Sequence, residues 1–368
     1  MCYSARGRGI TKLESALIIA LIVASILGGY AWIAKPSAPT QAPTPAPALR
    51  TITIVDSAGR YVEVPWPVKR VAALTGDAAM ALVALGAKDS IVGISMYAID
   101  EPWAPKNIQS IGSCFKPDIE AIIATKPEVV ITYVRWPGPE ALEEKLEPLG
   151  IKVIRLDFYK LDTLFSEFRV LGLLLNRTER ANELVEYWKG VLERIEERVK
   201  KVEPGRRLRV YFESYTDYTA AGPGTGWDEI LRRAGGINVF AESPIPYPKV
   251  SPEAVIEKNP DVILKAVPST RFKAYGATDP TPLGEIYDSI LARPGWAEIK
   301  AVKEKRVYII CSHYLHDLFG LIAETAYVAK ILYPDLFRDM DPTVHLRYFL
   351  ENNLGIEYSS TWIYPPLE

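Results

Sequence analysis

Lys116–Val134 reads KPDIEAIIATKPEVVITYV, and Lys249–Val267 reads KVSPEAVIEKNPDVILKAV, so one pattern occurs twice, 133 residues apart and without a gap. Each copy opens with a cap-type residue, Asp118 or Ser251, and a glutamate two positions on, Glu120 or Glu253. A short amphipathic helix follows, then a Pro-acid pair (Pro127-Glu128, Pro260-Asp261) and an apolar run. Asp or Ser at the cap supplies an acceptor for the orphan N–H groups of a helix start. The runs Val129-Val130-Ile131 and Val262-Ile263-Leu264 suit strands buried on both faces of a parallel sheet. The pattern predicts two α/β lobes built from one unit, facing each other across a ligand-binding cleft.

Hydrophobic residues make up 48% of the chain and charged ones 24%, the balance of a globular protein. At 368 residues there is room for two sizeable cores. A net charge of −2 gives no basic stripe for nucleic acid. Three scattered cysteines, Cys2, Cys114 and Cys311, make no disulfide framework.

Arg6, Arg8 and Lys12 precede an uncharged stretch, Ser15–Ala34. About 20 such residues span a hydrocarbon layer as a helix, and the preceding positive charge keeps the N-terminus cytoplasmic. The flank Tyr30–Lys35 is a poor cleavage site, so the stretch is expected to be an uncleaved anchor rather than a signal peptide. Lys35–Leu49 is a Pro/Ala/Thr tether of extended or disordered chain. The expected organisation is anchor 1–34, linker 35–50, first lobe 51–160, inter-lobe helices 161–204 and second lobe 205–368.

Along the body, Thr51–Val64 alternates about Asp56-Ser57-Ala58-Gly59 as a hairpin does. Strands at Arg70–Leu74, Ile91–Ser95 and Lys152–Leu156 alternate with helices at Asp77–Leu85 and near Glu140–Leu149, which is a parallel-sheet pattern. Asp162–Leu175 and Thr178–Val202 read as helices broken at Asn176, the second with apolar residues at helical spacing from Ala181 to Val199. The second lobe resumes with strand Leu208–Phe212, helix Trp227–Ala234, the second repeat copy and strand Arg306–Ile310, with terminal helices at Ala323–Leu332 and Thr343–Leu354. The fold class is therefore α/β, two Rossmann-like lobes with parallel sheets joined by one long helix, behind an N-terminal transmembrane helix.

Catalytic signatures are lacking: Gly222-Pro223-Gly224-Thr225-Gly226 has no Gly-Lys-Ser/Thr ending, and Pro223 removes an N–H that a phosphate loop needs. Neither a Gly-x-Ser-x-Gly elbow nor a His-Glu-x-x-His helix occurs. The segment Cys311-Ser312-His313-Tyr314-Leu315-His316 gathers metal-ligand types, with Cys311, His313 and His316 as a metal site or merely a cleft-lining loop. Loops at strand carboxyl ends, where α/β folds bind ligands, are aromatic and partly basic. They hold Tyr97, Trp103, Phe115, Tyr133, Arg135, Trp136, Tyr215, Tyr218, Trp227, Tyr247, Lys249, Arg271, Tyr275 and Tyr314. Such a set suits a large, flat or anionic ligand, with Arg135, Lys249 and Arg271 as counter-charges. Glu120 and Glu253 sit where a helix dipole favours a carboxylate, and where a two-fold partner carrying Arg pockets could dock.

Together these features resemble the Fe/B12-type periplasmic-binding family, the single-helix-hinged substrate-binding proteins of ATP-binding-cassette importers. The resemblance rests on the Asp-x-x-Gly-Arg hairpin, Ala84-Leu85-Gly86 before Ile91-Val92-Gly93-Ile94-Ser95, and Ile111-Gly112 leading to Pro117–Glu120. It continues through Lys126–Val130, Ala234–Phe240, Pro248–Glu253, and Pro294-Gly295-Trp296 ahead of Val302–Tyr308. It implies capture of a metal chelate (ferric siderophore, haem or corrinoid), or in some branches molybdate or tungstate, with no cofactor and no catalysis. It also implies a permease dimer with ATPase subunits as partner, docked through Glu120 and Glu253. Tyr97, Arg135, Trp136, Tyr215 and Lys249 carry over as cleft positions only. An extracytoplasmic metalloenzyme using Cys311, His313 and His316 is the competing reading. The helical anchor departs from the family's usual lipoprotein or soluble form and is associated with archaeal relatives. The expected location is the cell membrane, single-pass, with the binding body outside. The sequon Asn176-Arg177-Thr178 is compatible with that placement.

Overall fold

The computed structural model describes residues 50–358 and 362–367. The expected anchor at 15–34 and tether at 35–49 lie outside the described residues. Among the described residues no helix is long and apolar enough to cross a membrane.

Strands β1 (Thr51–Val55) and β2 (Tyr61–Pro65) form the opening antiparallel hairpin. Asp56 shapes its turn by accepting the N–H groups of Ala58 and Arg60 at 3.0 Å each. The first lobe is a parallel sheet of β3 (Val71–Ala73), β4 (Ile91–Ile94), β5 (Val129–Thr132) and β6 (Lys152–Arg155), in the order β4-β3-β5-β6. The second lobe orders β11 (Ile363–Tyr364), β10 (Val307–Cys311), β9 (Val262–Val267), β7 (Arg209–Glu213) and β8 (Ile237–Asn238) as β11-β10-β9-β7-β8. Only β11 is antiparallel in that sheet.

The repeat is visible atom by atom. Asp118 accepts the Ala121 N–H at 3.0 Å and caps helix Ile119–Ala124; Ser251 accepts the Ala254 N–H at 3.1 Å and caps helix Pro252–Lys258. Both helices hand over to the strand through a left-handed residue, Lys126 (φ 48°) and Asn259 (φ 42°). The acids of the Pro-acid pairs then secure the neighbouring strand: Glu128 accepts the Arg70 N–H and Asp261 the Arg209 N–H. The strands that follow, β5 and β9, lie inside their sheets and are buried throughout.

Between the lobes run helices Leu161–Leu174 and Thr178–Val199, separated at Asn176 (φ 54°). The second buries Ala181, Leu184, Val185, Trp188, Leu192, Ile195 and Val199, the stripe its periodicity predicts. The two pack closely because Gly172 faces Ala181; a Cβ there would stand 2.4 Å from the Ala181 Cβ. Behind the cleft, Trp188 stacks on Phe319 at 5.3 Å, and Phe168 meets the same ring edge-on at 4.8 Å.

Two local expectations need correction. The helix expected near Glu140–Leu149 is three short pieces, Pro139–Ala141, Glu143–Leu146 and Glu147–Leu149: Leu142 leaves the helical backbone (φ −124°, ψ −66°) between the first two, and Pro148 lacks the N–H that would continue the second into the third. A helix at Thr281–Leu291, with Pro282 in its first turn, has no counterpart in the sequence reading. The terminal helix expected at Thr343–Leu354 runs from Pro342 to Tyr348 and then widens into a π turn, Phe349–Asn353.

Candidate functional site

Carboxyl ends of strands from both lobes converge on one cavity of about 340 Å³. Gly76, Asp77 and Met80 follow β3; Tyr97, Ala98, Glu101 and Trp103 follow β4; Tyr133 follows β5. Phe115 enters from the loop ahead of helix Ile119–Ala124. Across the cleft, Tyr215 follows β7, Pro268, Ser269 and Thr270 follow β9, and Ser312, His313, Tyr314 and Asp317 follow β10. Parallel strands all end on the same edge of their sheet, so one edge collects the functional loops of each lobe.

The two lobes touch inside this cavity. Glu101 of the first lobe accepts hydrogen bonds from the second: Lys273 Nζ lies at 2.9 Å, His313 Nε2 at 3.3 Å, and the Tyr314 hydroxyl also donates to it. Burial alone would raise the Glu101 pKa, but the His313, Tyr314 and Lys273 contacts outweigh it and hold the carboxyl down to about 2. At the cavity floor, Asp77 accepts the Tyr133 hydroxyl and, from the other lobe, the Leu318 N–H at 3.3 Å. Burial pushes the Asp77 carboxyl up to about 6. Burial, reinforced by the nearby Asp77 charge, also raises Asp317, whose carboxylate accepts the Tyr314 N–H at 3.0 Å. The phenols of Tyr133 and Tyr314 are raised by burial and by their carboxylate neighbours, so both remain protonated donors. The cavity therefore offers aromatic faces, hydroxyl donors, one imidazole and three carboxyl groups. Neither lysine nor arginine is among its lining residues.

Of the residues expected from sequence, Tyr97, Trp103, Phe115, Tyr133, Tyr215 and Tyr314 line the cavity, and so does His313. Tyr97 and Phe115 are the exposed rim, at 59% and 65%, whereas Tyr314 is closed in at 1%. Trp136 stands beside Phe115 on the rim, with ring centroids 5.9 Å apart. Trp227 is a buried hub stacked on Phe212 and His316, with Tyr215 and Tyr247 edge-on to it. Tyr218 points the other way, under the Arg293 guanidinium and against Trp296. Arg135, Lys249 and Arg271 are exposed and do not line the cavity, so the expected counter-charges are not at its wall. Lys249 instead bridges Thr219 through its backbone.

The metal set also separates. His313 faces Glu101, His316 gives Nδ1 to Glu324 at 2.7 Å, and burial pushes the Cys311 thiol up to about 12. Among the described residues no three His, Cys, Asp or Glu side chains group as a bare-ion site. Sequence reasoning missed Asp77, Glu101 and Asp317. Asp77 had a usable signal, its place directly after a strand and at a helix start; Glu101 is defined by contacts with Lys273, His313 and Tyr314, all far away in sequence, and Asp317 accepts the Tyr314 N–H in a loop whose place beside Asp77 no local pattern shows.

Two parallel sheets whose carboxyl edges close on one aromatic, acid-floored cavity define a bilobal ligand-binding protein. The chain belongs to the periplasmic binding protein family, whose model matches residues 71–314. It is 28% identical over 196 residues to the vitamin B12-binding protein of Yersinia pestis (strain Pestoides F), covering 53% of this chain and 69% of that one. The TroA-like periplasmic binding protein FepB from Veillonella parvula shares the fold with a TM-score of 0.72 and 25% identity, over 85% of this chain and 99% of that chain. The molybdate periplasmic binding protein MolA of Haemophilus influenzae shares it with a TM-score of 0.70 and 22% identity, over 84% of this chain and all of that chain.

Proposed function

We propose that the protein captures a metal chelate outside the cytoplasm and delivers it to the permease of an ATP-driven importer, without transforming it. The observation that carries this reading is the cavity itself, shared by both lobes and lined by tyrosines, carboxyl groups and His313. Aromatic faces stack on a chelator's rings or apolar edge, and imidazole and carboxylate are groups that complete a metal's coordination sphere. At about 340 Å³ the cavity sits at the small end of ligand sites, which supports a compact complex or one projecting past the Phe115–Trp136 rim. Carboxyl groups on the floor favour a neutral or positively charged complex. An oxyanion such as molybdate has less support, because the lining residues include no cation to offset its charge.

Glu120 and Glu253 are proposed as the docking pair. Both are exposed, occupy equivalent helix starts, and have no ion-pair partner among the described residues. The apolar stretch at 15–34 is proposed to hold the body at the outer face of the cell membrane on the 35–49 tether.

Thermal shift of the protein against haemin, cyanocobalamin, a ferric catecholate and molybdate tests the reading. A rise in melting temperature with one of the three chelates is expected. A rise with molybdate alone would replace it with the oxyanion reading.

A further inference from the structure

We infer that Arg155 and Lys265 are positioning residues, each fixing the path of one tyrosine loop that lines the cavity. The inference rests on the proposed binding role of that cavity. Arg155 ends β6 and pairs in register with Thr132, the last residue of β5. Its guanidinium donates to the next two carbonyls after that strand, Tyr133 O at 2.9 Å and Val134 O at 3.0 Å. Lys265 lies on β9 and pairs in register with Glu213, the last residue of β7. Its ammonium likewise donates to the next two carbonyls, Ser214 O at 2.8 Å and Tyr215 O at 3.3 Å. In both lobes a cation therefore reaches across one strand and gathers the two carbonyls that begin the loop.

Both cations are buried, Arg155 at 3% and Lys265 at 1% exposure. A buried charge is tolerated only when it is paired and its donors are used. Arg155 is paired with Glu143 through two bonds of 2.6 and 2.8 Å, and Arg60 of the opening hairpin reaches the same carboxylate at 2.8 Å. Lys265 is paired with Glu213 at 3.0 Å, and Arg293 grips that carboxylate at 2.7 and 2.8 Å. Each loop is thus held by a cation and a carboxylate that a second cation, Arg60 or Arg293, shares.

Descent from the repeated unit does not account for the match. The offset of 133 residues aligns Thr132 with Lys265, so the repeat relates β5 to β9 and not the two cation-bearing strands to each other. The same register rule has been met from different strands, behind different loops. What the two places share is a tyrosine at the cavity wall, Tyr133 and Tyr215. The Asp-x-x-Gly-Arg hairpin acquires a role here: Asp56 binds Arg60 at 2.7 Å and also accepts the Arg155 N–H at 3.2 Å, so the hairpin braces the first triad.

The test is amide hydrogen exchange on the full-length chain in detergent micelles, without ligand, for Arg155→Lys, Arg155→Leu, Lys265→Arg and Lys265→Met. Val134 N–H, held by Asp157 at 2.8 Å, and Tyr218 N–H, held by Glu213 at 3.0 Å, report on the two loops. Arg155 variants should speed exchange over residues 133–136 by about tenfold and leave 214–219 unchanged; Lys265 variants should do the reverse. If the Leu and Met variants do not melt cooperatively, the two charge-retaining variants decide. Loop exchange at the wild-type rate, or an equal rise in both lobes, overturns the inference. Cyanocobalamin and haemin affinities are measured in parallel: failure of both to bind the wild type bears on the proposed function, while the exchange pattern still judges the positioning role.

Discussion

Glu101 and Lys273 stand on opposite lobes and meet at 2.9 Å across the cleft. Their contact, with those of His313 and Tyr314 to the same carboxylate, makes Glu101 the first lobe's main hold on the second at the cavity wall. Glu101→Gln should lower the melting temperature by an amount matching the loss of one charged hydrogen-bond set, about 1.5–3 kcal/mol. The folded pKa near 2 lies below the ordinary value of 4.5, so this stabilisation is complete above about pH 4.5 and is lost as pH falls toward 2. Melting temperatures of wild type and variant should converge over that window. A gap that stays constant down to pH 2.5 would contradict the assignment.

Asp77 gives the opposite sign. Its folded pKa near 6 lies above the ordinary 3.8, so the folded state binds the proton more tightly and stability falls as pH rises from about 3.8 to 6. Asp77→Asn should therefore be more stable than wild type at pH 8, by about 1–3 kcal/mol, and lose that advantage near pH 3. Denaturant melts at the two pH values read it directly. A variant that is equally destabilised at both would show that the loss of one of the two acceptor oxygens serving Tyr133 and Leu318, not the charge, dominates.

The exposed basic residues offer a contrast with the cavity wall. Arg135→Ala should change the affinity for a bound chelate by less than about threefold, since Arg135 lies outside the lining. Tyr314→Phe removes a hydroxyl that donates to Glu101 inside the cavity and should weaken binding by about tenfold. Titration of both variants with the chelate selected by thermal shift makes the comparison. A large loss confined to Arg135→Ala would move the site to the rim.

Glu120 and Glu253 can be tested together. Their double replacement by alanine should leave chelate affinity intact and abolish uptake, because two linked contacts gain from effective concentration and both are removed. The cost to folding is limited to two helix-dipole contacts, about 0.6–2 kcal/mol. Uptake at the wild-type rate in the double variant would reject the docking role.

The fold was legible where local chemistry and periodicity agree. Asp118 and Ser251 announce their helices, the Trp188 stripe announces the long inter-lobe helix, and the runs Val129–Ile131 and Val262–Leu264 read as strands buried on both faces, which they are. Prolines misled in both directions: Pro148 divides a helix that the apolar pattern makes continuous, and Pro282 opens one that the pattern hides. At the site, the aromatic loops were legible because strand ends are legible. The carboxyl groups were not, because Glu101 draws its meaning from Lys273, His313 and Tyr314, and no local pattern pairs residues so far apart. Arg135 and Lys249 are charges at strand-end loops, as the sequence reads them, but a sequence does not say whether such a residue lines the cavity, and neither does here.

The central claim, capture of a chelated metal between the lobes, is tested most directly by the metal content and absorbance spectrum of protein isolated from its native host. The account predicts close to one metal per chain, with an absorbance band above the protein's own that Tyr314→Phe and His313→Ala each diminish. Metal-free protein whose spectrum is that of its aromatic residues alone, and whose melting temperature no chelate shifts, would contradict it.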